Sequence, residues 1–135
     1  RLQQVYERYL KRNPDLADLP PDLADKVRRS MQVHGPKLFT AFASCPTGWG
    51  FDPSKSHHIA KLAIETGVWP LKEVIHGTVR HTFVPEKRKP VAEYLEPQRR
   101  FRHLFHPVRQ MDALAEIQKH LDCYWDQLGD QDLIR

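Results

Sequence analysis

Cysteine is scarce in this 135-residue chain, which has two, Cys45 and Cys123. They lie far apart and no CxxC spacing occurs, so neither a disulfide scaffold nor a metal site built from local cysteine pairs is available. A reducing, cytoplasmic setting is the expectation that follows. No apolar run is long enough to span a bilayer, and the opening stretch RLQQVYERYLKR carries charges where a secretory signal would be unbroken and apolar. With 40% hydrophobic and 28% charged residues, the chain also lacks the depleted apolar content of a disordered polymer. It begins with Arg1 rather than Met, which reads as a fragment, a processed product or the ordered part of something longer. The length allows one small core at most, as a single domain or a piece of one.

Hydrophobic periodicity organises what is there. Leu2, Val5, Tyr6, Tyr9 and Leu10 predict an amphipathic helix over residues 1–12, closed by Asn13 and Pro14. PDLAD occurs at 14–18 and again at 21–25, too short to signal a repeat architecture and better read as helix starts or turns. Leu23, Val27 and Met31 then predict a helix from Asp22 to Val33. KLFTAFASC, residues 37–45, is nearly continuous, apolar and β-prone, the pattern of a strand buried on both faces of a mainly parallel sheet. Asp52 as N-cap with Pro53 behind it predicts a helix that Gly67 stops. WPLKEVI, HG and TVRHTFV predict a β-hairpin. Residues 85–105 hold three prolines and many charges and read as an extended basic arm with short helical turns, wrapping a neighbour. Val108 to Leu128 predict a C-terminal helix. The expected segments are 1–34 helical, 35–84 an α/β core piece with the hairpin, and 85–135 the arm and last helix.

Net charge is a mild +4, but Arg80–Arg109 holds eight Lys or Arg against three Glu. Such a strip suits an acidic partner, a phosphate group or nucleic acid. KRK and RRFRH are basic clusters with an aromatic that could stack on a base, yet no helix-turn-helix, RRM or OB pattern accompanies them, and a solvated or protein-contacting arm is favoured. Nucleic-acid binding by this arm would show as a steep salt dependence. Eight histidines raise a zinc site: His57 and His58 are adjacent, and His103 and His106 bracket Leu104 and Phe105 at a ligand-compatible spacing, but further ligands are not evident. Cys45, at the carboxyl end of the predicted strand, sits where crevices form in open sheets. Its readings are a small buried hydrophobe, a nucleophile needing a histidine base, or one of several thiolates around an iron-sulfur cluster. Cys123 reads as core or surface without chemistry.

The runs GPKLFTAFASCPTGWGFDPSK (35–55), IAKLAIETGVWPLKEV (59–74) and RKPVAEYLEPQRRFRHL (88–104) closely resemble the C-terminal part of the β subunit of pyruvate:ferredoxin oxidoreductases, within the 2-oxoacid:ferredoxin oxidoreductase family. The resemblance covers about residues 22–128. It implies an α/β chain: the C-terminal piece of a thiamine-diphosphate-binding-type fold, with a buried strand, a helix, a hairpin, the basic arm and a C-terminal helix. It implies oxidative decarboxylation of a 2-oxoacid, pyruvate by the lean of CPTGW, with CoA taking the acyl group and 4Fe-4S clusters passing electrons to ferredoxin. Cys45 matches the position of a fourth cluster ligand, and the backbone amides of Thr47 and Gly48 become candidate donors to cluster sulfur. Thiamine diphosphate and Mg²⁺ are implied for the enzyme, but the family's GDG fingerprint does not precede Gly35, and the N-terminal CxxC is missing. The chain alone is therefore expected to be inactive and to work with other subunits, as part of a β subunit or as a split or degenerate relative. The alternative is a non-catalytic assembly subunit that keeps the fold.

Overall fold

The structure is a computed structural model and describes Lys11 and residues 22–128. The expected helix over 1–12 and the first PDLAD lie outside the described residues, Lys11 apart. Two compact units divide the chain, residues 1–39 and 40–135.

In the first unit, helix α1 spans Asp22–Ser30. Its charges complement the helix dipole, with Asp22 and Asp25 in the first turn and Arg28 and Arg29 in the last. Lys26 reaches back 2.6 Å to Asp22, and Arg28 pairs with Asp25. The helix stops at Ser30, short of the expected Val33, as Ser30 Oγ donates to the Val27 carbonyl and the amides of Gln32 and Val33 donate three residues back. Tightening to i→i+3 bonds is a common helix exit.

The strand expected over 37–45 is not there. Those residues run without ladder partners until the turn at Cys45, and Leu38 is 92% exposed. A doubly buried strand needs a neighbour on each edge and a layer on each face. Among the described residues the one sheet is a two-stranded hairpin elsewhere in the chain. Apolar, β-prone composition records that a segment favours burial; it does not record whether its own chain supplies the cover.

In the second unit, α2 is the single turn Pro46–Trp49, followed by a 3₁₀ turn at Pro53–Lys55 that runs into α3, Ser56–Glu65. Asp52 caps as expected, its Oδ1 accepting from the Ser54 amide at 2.8 Å and from Ser54 Oγ at 2.6 Å. Ile59, Leu62 and Ala63 form the buried face of α3. Gly67, at φ +79°, ends the helix as expected and lets the Trp69 amide turn back to the Ala63 carbonyl at 2.8 Å. The hairpin is present as β1, Leu71–Ile75, antiparallel to β2, Thr78–Phe83, with Val74 opposite Val79. His76 (φ 51°) and Gly77 (φ 82°) both take the left-handed conformation, as a type I′ turn demands.

The basic arm has the short helical turns expected of it but contributes to the core as well. It folds into α4, Val91–Leu95, and a 3₁₀ segment, Arg99–Leu104. Val91, Tyr94, Leu95 and Phe105 join Ile59, Leu62, Ala63 and Leu114 in one core. Proline spacing stopped long helices here, as anticipated, but short helices bury apolar side chains equally well. The last helix, α5, spans Met111–Asp126 and closes on the rest through Trp125, whose Nε1 donates to the Gly67 carbonyl at 3.0 Å, and through Gln118, which accepts from the Val91 amide at 2.7 Å. The arrangement is mixed helix and small antiparallel sheet.

Candidate functional site

Cys45 is the N-cap of α2, extended at φ −102° and ψ 103°, and its thiol is exposed. This corrects the expected strand-end position: the cysteine opens a helical turn. The Gly48 amide donates to Cys45 Sγ at 3.3 Å. A Cβ at residue 48 would itself lie 3.3 Å from that sulfur, so glycine lets the backbone come close to the thiol. The Trp49 amide bonds the Cys45 carbonyl at 2.9 Å, and the amides of Gly50 and Phe51 converge on the Pro46 carbonyl at 2.8 and 3.2 Å. Of the two candidate donors, Gly48 reaches the sulfur; Thr47 lies exposed in the same turn.

The turn is tied down at several points. Ser44 Oγ donates to the Ser56 carbonyl at 3.0 Å. Trp49 packs between Phe42 and Phe51, at ring-centroid distances of 5.6 and 6.2 Å, and Phe42 also meets Trp69 at 5.1 Å. Gly50, at φ +70°, accepts from the Arg99 amide at 3.2 Å, and a Cβ there would fall 2.5 Å from Arg99 Cβ. Arg100 lays its guanidinium over the Trp49 ring, 3.9 Å from the centroid. Sequence reasoning missed Arg99 and Arg100 as parts of this turn and assigned them to the basic arm. Only a fold brings residues fifty apart together, and the adjacent aromatic that suggested base stacking gave no hint that a tryptophan already occupied one arginine face.

Asp52, next along, has its carboxyl held below the usual range by the Ser54 hydroxyl first, then the Ser54 amide, with Lys55 adding to the effect. His103 and His106 are exposed, and among the described residues no three His, Cys, Asp or Glu side chains converge as a metal site would require. Cys123 lies on the surface of α5, its sulfur accepting from Gln127 Nε2 at 3.3 Å. No helix of the described residues is long and apolar enough to cross a membrane.

What the Cys45 turn offers chemically is one exposed sulfur donor with a backbone hydrogen bond already aimed at it. A 4Fe-4S cluster takes four thiolates, often from distant segments, with hydrogen bonds to sulfur tuning its potential. Cys45 fits as one of four.

No family model matches the chain. Among curated proteins it is 43% identical over 103 residues to the pyruvate synthase subunit PorB of Methanocaldococcus jannaschii, covering 76% of this chain and 33% of that protein. It is 43% identical over 109 residues to the PorB of Methanothermobacter marburgensis, covering 81% and 36%. The ketoisovalerate oxidoreductase subunit VorB of Pyrococcus furiosus is 32% identical over 111 residues, covering 81% and 34%. The chain thus spans about a third of the length of the curated relatives it matches.

Proposed function

The chain belongs to the family of pyruvate synthase subunit PorB, corresponding to its C-terminal part, and from that premise we propose that it forms part of the β subunit of a 2-oxoacid:ferredoxin oxidoreductase acting on pyruvate. The observation that carries this reading is the 43% identity to PorB proteins of two methanogens over three quarters or more of the chain. Relatives named for pyruvate and for ketoisovalerate together keep the proposed substrate class at 2-oxoacids, with pyruvate the choice that the assay below decides.

In this reading Cys45 supplies one thiolate to a 4Fe-4S cluster, with the remaining ligands coming from residues outside this chain. The cluster, when bound, moves electrons singly from the reacting centre toward ferredoxin. The chain's own contribution is to present the sulfur in a fixed place. Proline at residue 46 sets the first helical φ, the Gly48 amide hydrogen-bonds the sulfur, and Trp49 anchors the turn to the aromatic group around it. Thiamine diphosphate and Mg²⁺, together with the CoA and 2-oxoacid subsites, belong to the rest of the assembly, which works in a reducing cytoplasm. The exposed arm cations Lys87 and Arg102 serve contacts with the neighbouring subunits.

The test is electron paramagnetic resonance and iron analysis on the dithionite-reduced assembly containing this chain, with Cys45→Ser beside it, and ferredoxin reduction assayed with pyruvate and with ketoisovalerate. Loss or displacement of one 4Fe-4S signal, with collapse of pyruvate-dependent reduction, is the expected result. Unchanged iron and signals in Cys45→Ser would overturn the ligand role and leave an assembly subunit that keeps the turn without its chemistry.

A further inference from the structure

We propose that Arg100 is the positioning residue of the Cys45 thiol, holding the turn that carries it through a cation–π stack on Trp49. This rests on the reading of Cys45 as a cluster ligand and goes beyond it to say what fixes that ligand in place.

Cys45 and Trp49 are the two ends of one helical turn, joined by the amide of Trp49 and the carbonyl of Cys45 at 2.9 Å. A helix of four residues has no stability of its own, since nucleation costs more than one turn of hydrogen bonds returns. The thiol is exposed, so burial does not hold it either. Beside the Ser44 hydroxyl on the preceding residue, what fixes Trp49 helps to fix the sulfur.

Arg100 is unusually constrained for a surface arginine. Its Nε donates to Gln98 Oε1 at 2.9 Å and an Nη donates to the Tyr94 hydroxyl at 3.3 Å. Gln98 is fully buried and donates in turn to the Tyr94 carbonyl, so the guanidinium is braced from the core outward. Its plane then lies over Trp49 at 3.9 Å and over Phe101 at 4.6 Å from the ring centroids. One residue earlier, the Arg99 amide grips the Gly50 carbonyl, so backbone and side chain clamp the same turn from the same 3₁₀ segment. With its edge bonded and an aromatic ring against its face, Arg100 is engaged within the fold. The planar, five-donor head makes this a task for arginine; lysine keeps the cation and loses the fork.

The experiment uses the assembled enzyme carrying this chain, as wild type, Arg100→Gln, Arg100→Lys and Cys45→Ser. Amide hydrogen exchange reports on the turn, and the resonance spectrum and midpoint potential of the reduced cluster report on the ligand. Arg100→Gln is expected to speed exchange at the Trp49, Gly50 and Phe51 amides by about two- to fivefold, the loss of an exposed cation–π contact, while α5 exchanges as before. The cluster spectrum and potential shift with it, and Arg100→Lys recovers part of both. Unchanged exchange in Arg100→Gln overturns the proposal, and so does faster exchange with an unaltered cluster spectrum and potential, which would make the stack merely structural. If Cys45→Ser abolishes the signal while Arg100→Gln changes nothing, this inference falls alone. If Cys45→Ser keeps the signal, the ligand reading falls and takes this one with it.

Discussion

Gly67 and Gly77 share a backbone region, at φ +79° and +82°, yet for different reasons. Gly77 only has to make a turn, since a Cβ there would meet nothing within 4 Å. Gly67 must also admit a tryptophan: a Cβ would lie 2.4 Å from Trp125 Nε1 and 2.9 Å from its Cε2, atoms of a buried ring. Both Gly→Ala substitutions incur the left-handed cost of about 1–2 kcal/mol. Gly67→Ala adds an overpacking cost of roughly 1–3 kcal/mol and disturbs the hydrogen bond from the indole to the Gly67 carbonyl. Thermal or urea unfolding should therefore rank Gly67→Ala well below Gly77→Ala; equal losses would mean that Trp125 moves aside at little cost. The sequence showed Gly67 as a helix stop. Its second role, as floor for an indole 58 residues away, had no local signal.

Elements that announce their own ends were the legible ones. α1, α3, the hairpin and α5 each carry a cap, a turn glycine or a sustained apolar period, and all four occur where expected, within a few residues. α4 and the 3₁₀ segment after it are too short for a period to register, so their burial of Val91, Tyr94 and Leu95 was invisible among the prolines and charges. The thiol turn was half legible: Pro46 and Gly50 mark a turn, but a β-prone run before them hid its helical start. An ion pair at the start of α4 ties it to a legible element. Lys89, just before α4, places Nζ 2.9 Å from Glu65 Oε2 at the end of α3, and its amide bonds the Glu65 carbonyl at 3.0 Å. The Glu65 hydrogen bond raises the Lys89 pKa above its ordinary 10.5, with the Glu65 and Glu93 charges adding to the rise against partial desolvation. A raised pKa means the contribution is complete below the unfolded value and is lost as pH climbs through the folded one. Glu65→Gln should thus destabilise the protein at neutral pH by at most about 1 kcal/mol, as suits a solvent-exposed pair, and the gap to wild type should close as pH climbs past the ordinary lysine value of 10.5. Unfolding curves at pH 7 and in that alkaline range check it; a gap that persists would show that the carboxylate acts elsewhere.

At the scale of the whole molecule, apolar surface is unevenly covered. The second unit closes a core around α3, α4 and α5, whereas Leu38 and Phe39 stand exposed on backbone that pairs with no strand. A chymotrypsin-like protease binds an extended segment and cuts after large apolar residues, so the chain on its own should be nicked first at Leu38 and Phe39, ahead of any site in α5. Mass spectrometry of early fragments checks this, and resistance of that segment in the isolated chain would count against its exposure. In the assembled enzyme the same cuts should slow by an order of magnitude or more if neighbouring subunits cover the segment. The unpaired run then has a consequence for how the chain is first opened: wherever residues 37–41 stand uncovered, a protease can enter there without waiting for the core of the second unit to unfold.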